Sequence, residues 1–526
     1  MKMTKPGLSL QFLLAVAALL GGTDAFTAQT SRSRLFGLEM PTVGLMQQFN
    51  RSPTGTRLNL SGFKSKGEEE DTTESVESTS PTNGPDGVKK SEKSILPGPI
   101  PVEEADIVII GGGVSGLTAA ITASQAAKKD DLKIVLLESS SRLGGRVMSE
   151  VTDDGYTLDE GFAVFLDEYP EVRKVLDFEA LKLKPFLPGA LVKLKNRDSF
   201  ARVADPLRLP ADIFNSILAP VGSLIDKAKV IPLFFNVKLK SVEELFEENE
   251  TDTETALIDR WGFSDNFIAK FYKPFLEGIY LAPLSQQSSR MFSFVFKMFS
   301  EGSATLPEGG MIKIADQLVE KAEQAGVDIK LQTPVTRLET KSDGSVIVES
   351  AYDSKQTVYK AKSVIVATDG KVAQKLLSQV DDFEFLEQLP ELPQLTVGCL
   401  YYSFKGTPPV EDPILILNGN GEESDLEKNP VNNACFPSVV NKGYAPEGCS
   451  LCSVTVLGPA MKAFKNKPEE LDQAVRQQLG TWFCENRSEI LEEWELKKIF
   501  FVSNMVKRAG SRRCWHCLTI AILFSA

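Results

Sequence analysis

Histidine is all but missing from this chain: the one imidazole, His516, lies among the last eleven of 526 residues. The body of the protein therefore cannot carry a Ser-His-Asp triad, an ordinary zinc site or a His-ligated haem. Cysteine is nearly as restricted, with all seven from Cys399 onward, too few and too clustered for a disulfide-stapled secreted scaffold. Cys449 and Cys452 form a CxxC. No second pair of metal ligands lies near, and Ser450 to Leu457 has strand character, so a strand is preferred to a redox or metal motif. No metal is expected. Positive charge is in deficit too, with 58 Lys and Arg against 71 Asp and Glu and a formal charge of −13. That balance excludes a broad nucleic-acid surface and disfavours a lasting hold on anionic lipid headgroups. Proton chemistry falls to carboxylates, Lys, Tyr or a bound cofactor, which suits a redox enzyme that borrows its chemistry.

What is present is ordered along the chain. Lys2 and Lys5 precede an apolar run from Leu8 to Leu20 and small residues up to Ala25, the layout of a signal peptide over 1–25. The run is short for a membrane span, and a buried first helix is the alternative. Residues 26–66 are rich in Ser, Thr and Arg with Glu39 as the only acid, a transit-like composition. The two segments together resemble the bipartite presequence of algae with secondary plastids, which predicts import into the plastid (chloroplast); plain secretion is the competitor. Residues 67–100 are acidic, Ser/Thr/Pro-rich and almost without apolar side chains, so they read as a disordered linker. The folded enzyme is expected to begin near Pro101.

There the dominant motif starts. Asp106–Ile110 is a short apolar strand of the buried parallel kind. It runs into Gly111-Gly112-Gly113-Val114-Ser115-Gly116 and a helix-like stretch through Ala126. Read as G-x-G-x-x-G, Gly111 permits a tight turn, Gly113 lets a pyrophosphate reach the backbone, and Gly116 lets helix and strand pack closely. The helix N-terminus offers free N–H groups to phosphates. A second strand, Leu132–Leu137, ends in Glu138, 22 residues after Gly116, where a ribose-binding carboxylate belongs.

Glu138-Ser-Ser-Ser-Arg142-Leu-Gly144-Gly145-Arg146 matches E-x-x-x-R-x-G-G-R and resembles the flavin amine oxidase superfamily, which also contains phytoene desaturases and protoporphyrinogen oxidases. The resemblance continues in Gly155–Gly161 with Phe162, in Leu306–Met311 (P-x-G-G-M), at Val335 and in Ser363–Gly370, and runs to about Phe501. It looks nearest to a phytoene-desaturase-like branch of cyanobacteria and plastids. It implies FAD held by Gly111 to Gly116, Glu138, Arg142, Gly144, Gly145, Arg146, Gly161, Phe162 and the backbone of Val335. Guanidinium forks beside a diphosphate are physically sensible. Asp159 is read as hydrogen-bonding a turn rather than catalytic.

The implied fold is α/β: a Rossmann-like FAD-binding domain of the glutathione-reductase type, discontinuous in sequence, with a mixed α+β substrate domain. The expected division is 101–185 and 304–375 for FAD, 186–303 as a helical substrate domain, and 376–501 as its sheet and helix. Two aromatic stretches, Phe271–Leu281 and Met291–Phe299, fit either an apolar channel or helical core, and core is the default. Ile213–Phe235 could rest on a bilayer surface as a peripheral contact.

In many amine oxidases a lysine just before a Cys-led strand ending in paired tyrosines bridges to the flavin through water. Leu395–Tyr402 places Gly398 there, which weakens amine oxidation. The expectation is hydride removal or isomerisation on a small apolar plastid metabolite such as a carotenoid, or else a tetrapyrrole. A flavin amine oxidase and a truncated non-enzymatic relative are the alternatives, and no catalytic residue is assigned. Relatives finish with a G-D-rich block and G-A-x-x-S-G. Residues 502–526 show neither, and Val502-Ser503 can be encoded by a splice-donor consensus, so a retained intron is expected; a genuinely shortened protein is the alternative.

Overall fold

The computed structural model describes residues 101–505, apart from 127–131, 162–163, 196, 354, 381–382, 384–393, 421–424 and 484–491. The expected presequence and linker, Phe162 and residues 506–526 lie outside the described residues.

The first sheet has six strands in the order Asp328–Lys330, Ile134–Leu137, Val102–Ile110, Lys355–Val366, Val346–Tyr352 and Val335–Thr340. The first four run parallel and the last three form an antiparallel meander. Ile134–Leu137 and the carboxyl half of Val102–Ile110, from Ile107 on, are apolar at every position because both faces are covered there. Ile109, Ile134 and Leu136 pack with Leu117, Ala315 and Leu318 of the helices Val114–Ala126 and Ile312–Gln324. Val108, Ile110, Val135 and Leu137 face the other way, against the meander.

The second sheet has seven strands: Glu495–Met505, Gln394–Lys405, Cys449–Val456, Val431–Cys435, Leu415–Asn418, Gly189–Lys193 and Ala201–Ala204. All its pairs are antiparallel except Leu415–Asn418 with Gly189–Lys193. Leu400, Tyr402, Val454 and Val456 turn to the helix Pro468–Phe483. Cys399, Tyr401 and Cys435 turn to the cluster shared with the first sheet. The last strand continues through Met505 in register with Gln394, past the point where the sequence resemblance was expected to end.

Residues 186–303, expected to be helical, begin with two strands of this sheet before the helices start. Leu224–Leu239 opens on a capping box in which Ser223 and Asp226 satisfy each other's backbone N–H groups. The aromatic stretches are core: Tyr272, Phe292 and Phe294 are buried, and Tyr272 packs edge-on against Phe292. The surface of Ile213–Leu218 and Leu224–Leu239 is different. Phe214 is 73% exposed, and Leu218 and Leu239 are each 79% exposed. Among the described residues no helix is long and apolar enough to cross a membrane.

Cys449 and Cys452 both lie in one strand. Residues three apart in a strand point to opposite faces, so their sulfurs cannot converge. Among the described residues no group of His, Cys, Asp and Glu could hold a metal.

Candidate functional site

The glycine turn sits at the carboxyl end of the first strand. Gly111 donates its N–H to Leu137 O at 2.8 Å and has φ +106°, where a Cβ would fall 2.8 Å from Ala367 O. A Cβ on Gly116 would lie 1.9 Å from Gly111 O, so helix and strand approach as only glycine permits. A Cβ on Gly113 would meet only Gly145 Cα, at 3.8 Å, an ordinary contact. Val114, which is buried, and Ser115 open the helix.

Glu138 closes the second strand. Its carboxylate accepts the Gly112 N–H at 2.6 Å and the Ser140 N–H at 2.8 Å. Burial opposes its charge, but these bonds and the Ser139 and Ser140 contacts outweigh burial and hold the carboxyl below its ordinary range. Thr333 donates to Glu138 O and Gln332 to Ser140 O, which brings the start of the Val335–Thr340 strand alongside. Gly144 donates to Gly112 O at 2.9 Å and bridges to Gly113. Gly144 and Gly145 have φ of +100° and +61°, conformations that favour glycine. Arg142 reaches back over this turn to Gly145 O at 3.0 Å and pairs with Glu160 at 3.4 Å. Arg146 is exposed and faces the charge of Asp369, which caps the helix Gly370–Leu377. Gly161, at φ +100°, accepts the Tyr401 hydroxyl at 3.3 Å. Phe162 is outside the described residues.

The structure thus gathers Gly111 to Gly116, Glu138, Gly144, Gly145 and the Val335 segment into one region, with Arg142 linking it to Glu160 beside Gly161. Behind Gly161 lies a buried polar knot. Asp159 accepts from Ser149 at 2.5 Å, from Met311 N–H at 2.9 Å and from Tyr444 at 2.8 Å. Burial pushes its carboxyl up to about 6, against the pull of those three bonds. Asp159 therefore hydrogen-bonds the start of the helix Ile312–Gln324, as the sequence suggested. Its partners Ser149 and Tyr444 were not singled out: no motif marks Ser149, ten residues upstream, and Tyr444 lies 285 residues away. A small void beside this knot is lined by Asp159, Phe186, Leu306, Tyr401, Cys435, Pro437 and Ser453.

One reading is corrected. A Cβ on Gly398 would meet Met461 Sδ at 2.5 Å, on the side of Leu400 and Tyr402. The side toward Gly161 carries Val397, Cys399, Tyr401 and Ser403, by alternation along the strand. Gly398 does not stand where a flavin-directed lysine would. Val397, Cys399, Tyr401 and Ser403 bring no lysine to the side toward Gly161; Lys405, at the end of the same row, is exposed. Burial raises the Cys399 thiol to about 12 and pushes the Tyr401 hydroxyl well up, so both are neutral.

A family model for flavin containing amine oxidoreductases matches residues 114–507, about three quarters of the chain. The chain belongs to the flavin containing amine oxidoreductase family. A coproporphyrinogen III oxidase of Bacillus subtilis (strain 168) is 25% identical over 189 residues, 35% of this chain and 38% of the relative. A 15-cis-phytoene desaturase, chloroplastic/chromoplastic, of Capsicum annuum is 23% identical over 317 residues, 57% of this chain and 53% of the relative. The matches thus span between about two fifths and half the length of these curated relatives. An oxidoreductase structure from Methanosarcina mazei superposes with a TM-score of 0.58 at 18% identity, covering 77% of this chain and 90% of the other; this is a likeness of fold. FAD is the cofactor of the family, and the residues present fit it. Gly113 leaves the space a diphosphate needs, the helix N-terminus at Val114 points its N–H groups there, and Glu138 is held ionised beside them.

Proposed function

We propose that the protein is an FAD-dependent oxidoreductase that removes hydride from, or isomerises, an apolar plastid metabolite such as a carotenoid. The first sheet with its glycine turn is read as a Rossmann-like FAD-binding domain of the glutathione-reductase type, assembled from 101–185 and 304–375. The second sheet and the helices of 186–303 are read as the substrate domain. The observation that carries the reading is the row Val397, Cys399, Tyr401 and Ser403 on the side toward Gly161. It offers no amine-directed cation and no ionised nucleophile, since the thiol and phenol are held neutral by burial.

FAD, when bound, supplies an acceptor for two electrons and a proton. The chain's own part is to position and to exclude water. The glycine turn receives the diphosphate, Glu138 is placed for a ribose hydroxyl, and Tyr401 fixes the Gly161 carbonyl from the substrate side. In a desaturation the substrate would give one hydrogen as hydride to the flavin and the adjacent one as a proton to solvent water, and a carbon–carbon double bond would form. The relationship to a protein named as a phytoene desaturase supports this substrate class. Amine oxidation is the second reading and is disfavoured by the same row. The leader composition supports plastid import.

The test is spectroscopic. Purified protein is expected to show a bound-flavin absorbance band that bleaches anaerobically with a polyene and not with amines. Loss of the band from a soluble, folded preparation overturns the flavin assignment; bleaching by amines alone overturns the substrate class.

A further inference from the structure

Of the nineteen large apolar side chains exposed among the described residues, eight fall between Phe214 and Leu239. Single apolar residues scattered over a surface need no account, but a run this dense marks a contact. On the helix Leu224–Leu239 the exposed ones are Leu224, Ile225, Ile231, Phe235 and Leu239. At helical spacing they fall within about one third of the circumference, and the same arc otherwise holds only Ala228 and Pro232. Leu233 and Val237 lie on the opposite side, in the core. The helix thus has two apolar faces, and the protein covers one. Phe214, Ile217 and Leu218 make a second stripe at i, i+3 and i+4 on the helix Ile213–Leu218, which buries none of its own residues. Lys227 Nζ donates to Ile217 O and Ala219 O, each at 2.6 Å, and so ties the end of the shorter helix to the first turn of the longer one.

The polar groups of this segment decide what kind of partner fits. Each polar side chain from Asp212 to Lys240 has a partner inside the protein. Asn215 donates to Asp212, Ser216 accepts from the Ala204 N–H, and Asp226 accepts from Ser223 and Ser264. Lys229 donates to Gly262 O, Asn236 and Lys240 donate to Glu248, and Lys238 lies over the Phe234 ring. A protein partner uses about one hydrogen bond per 100–200 Å² of interface. An anionic headgroup needs uncommitted cations, and the formal charge of −13 opposes it as well. The two stripes offer neither donors nor cations. Hydrocarbon requires neither, because burial of apolar surface is not directional.

We propose that the helices Ile213–Leu218 and Leu224–Leu239 seat the protein on a membrane of uncharged lipid, with Phe214, Leu218, Ile225 and Leu239 entering the acyl layer. The longer helix lies in the plane of the surface, because its stripe runs along its whole length. Its 16 residues reach about 24 Å, short of a bilayer's hydrocarbon core. The assignment is independent of the flavin and of the substrate, so its failure leaves the redox reading as it was.

The test reads insertion at the face itself. Phe214→Trp, Leu239→Trp and, on the first sheet, Tyr352→Trp each add one tryptophan to the full chain, and the wild-type signal is subtracted. Vesicles of phosphatidylcholine brominated on the upper acyl chain are expected to quench the tryptophans added at 214 and 239 and to leave the one at 352 unquenched. The quenching should survive high salt and should not grow when anionic phosphatidylglycerol is mixed in. All three side chains are exposed, so an indole is accommodated without repacking, and the two helices give independent variants should one fail to fold. Quenching at all three positions alike, or at none, overturns the proposal. So does quenching that needs phosphatidylglycerol and vanishes in salt. A blue shift at 214 and 239 that grows with protein concentration before vesicles are added assigns the face to a second copy of the chain, and also overturns it.

Discussion

The Tyr444 hydroxyl donates to Asp159 Oδ2 at 2.8 Å, joining residues 285 positions apart in the chain. The other carboxyl oxygen takes Ser149 and the Met311 N–H, so one buried acid ties three distant segments behind Gly161. Burial raises this carboxyl from its ordinary 3.8 to about 6. A proton held more tightly in the folded than in the unfolded chain makes stability fall as pH rises between those two values. The loss is on the order of 3 kcal/mol across that window and is complete above it. Asp159→Asn keeps the acceptor for Met311 and has no charge to bury. Its Tm should match the wild type below about pH 3.8, exceed it increasingly as pH rises through that window, and hold the full margin near pH 7. Thermal melts across that range check this, and parallel pH profiles for the two proteins contradict it.

Two glycines of one turn should fail differently. Gly116→Ala drives a Cβ into Gly111 O and should cost at least about 3 kcal/mol or prevent folding. Gly113→Ala meets nothing closer than 3.8 Å and should cost less than about 1 kcal/mol, yet its methyl fills the space kept for a diphosphate. Denaturant melts and flavin content, measured together, should show Gly113→Ala folded and empty of flavin.

Gly398→Lys offers a check on strand register. The new side chain points at Met461, inside the cluster under the helix Pro468–Phe483, and should destabilise by more than about 2 kcal/mol. It should not confer flavin reduction by benzylamine. Amine-dependent bleaching in this variant would show that residue 398 faces the cofactor.

The exposed apolar surface around Phe214 and Leu218 fits contact with uncharged lipid, since the net charge of −13 disfavours anionic headgroups. Phe214→Asp combined with Leu218→Asp should lower co-sedimentation with phosphatidylcholine vesicles at least tenfold, because each side chain contributes roughly 1.5–3 kcal/mol when buried in lipid. Tm should be unchanged. Equal sedimentation of both proteins removes the membrane contact.

The glycine turn, its flanking strands and Glu138 were legible because their signals are local: period-two apolar runs, glycine spacing and an acid at a fixed offset. The helix-like stretch expected through Ala126 does end there, for the same reason. Gly189–Lys193 was missed. It pairs with Ala201–Ala204 on one side and on the other with Leu415–Asn418, more than two hundred residues away, a partner that nothing within the segment announces. The Gly398 reading failed on parity, since a one-residue slip in a strand exchanges its two faces.

The pairing of Val102–Ile110 with Lys355–Val366 also sets a schedule for biosynthesis. One flank of the glycine strand can be covered early, by Ile134–Leu137. The other waits for a partner about 250 residues downstream, which at ordinary synthesis rates leaves an apolar strand edge unpaired for roughly 10–50 s. Edges of that kind recruit other chains. Chaperone cover during the interval is therefore expected to raise the yield, and heterologous expression should give more soluble protein at slow growth and low temperature.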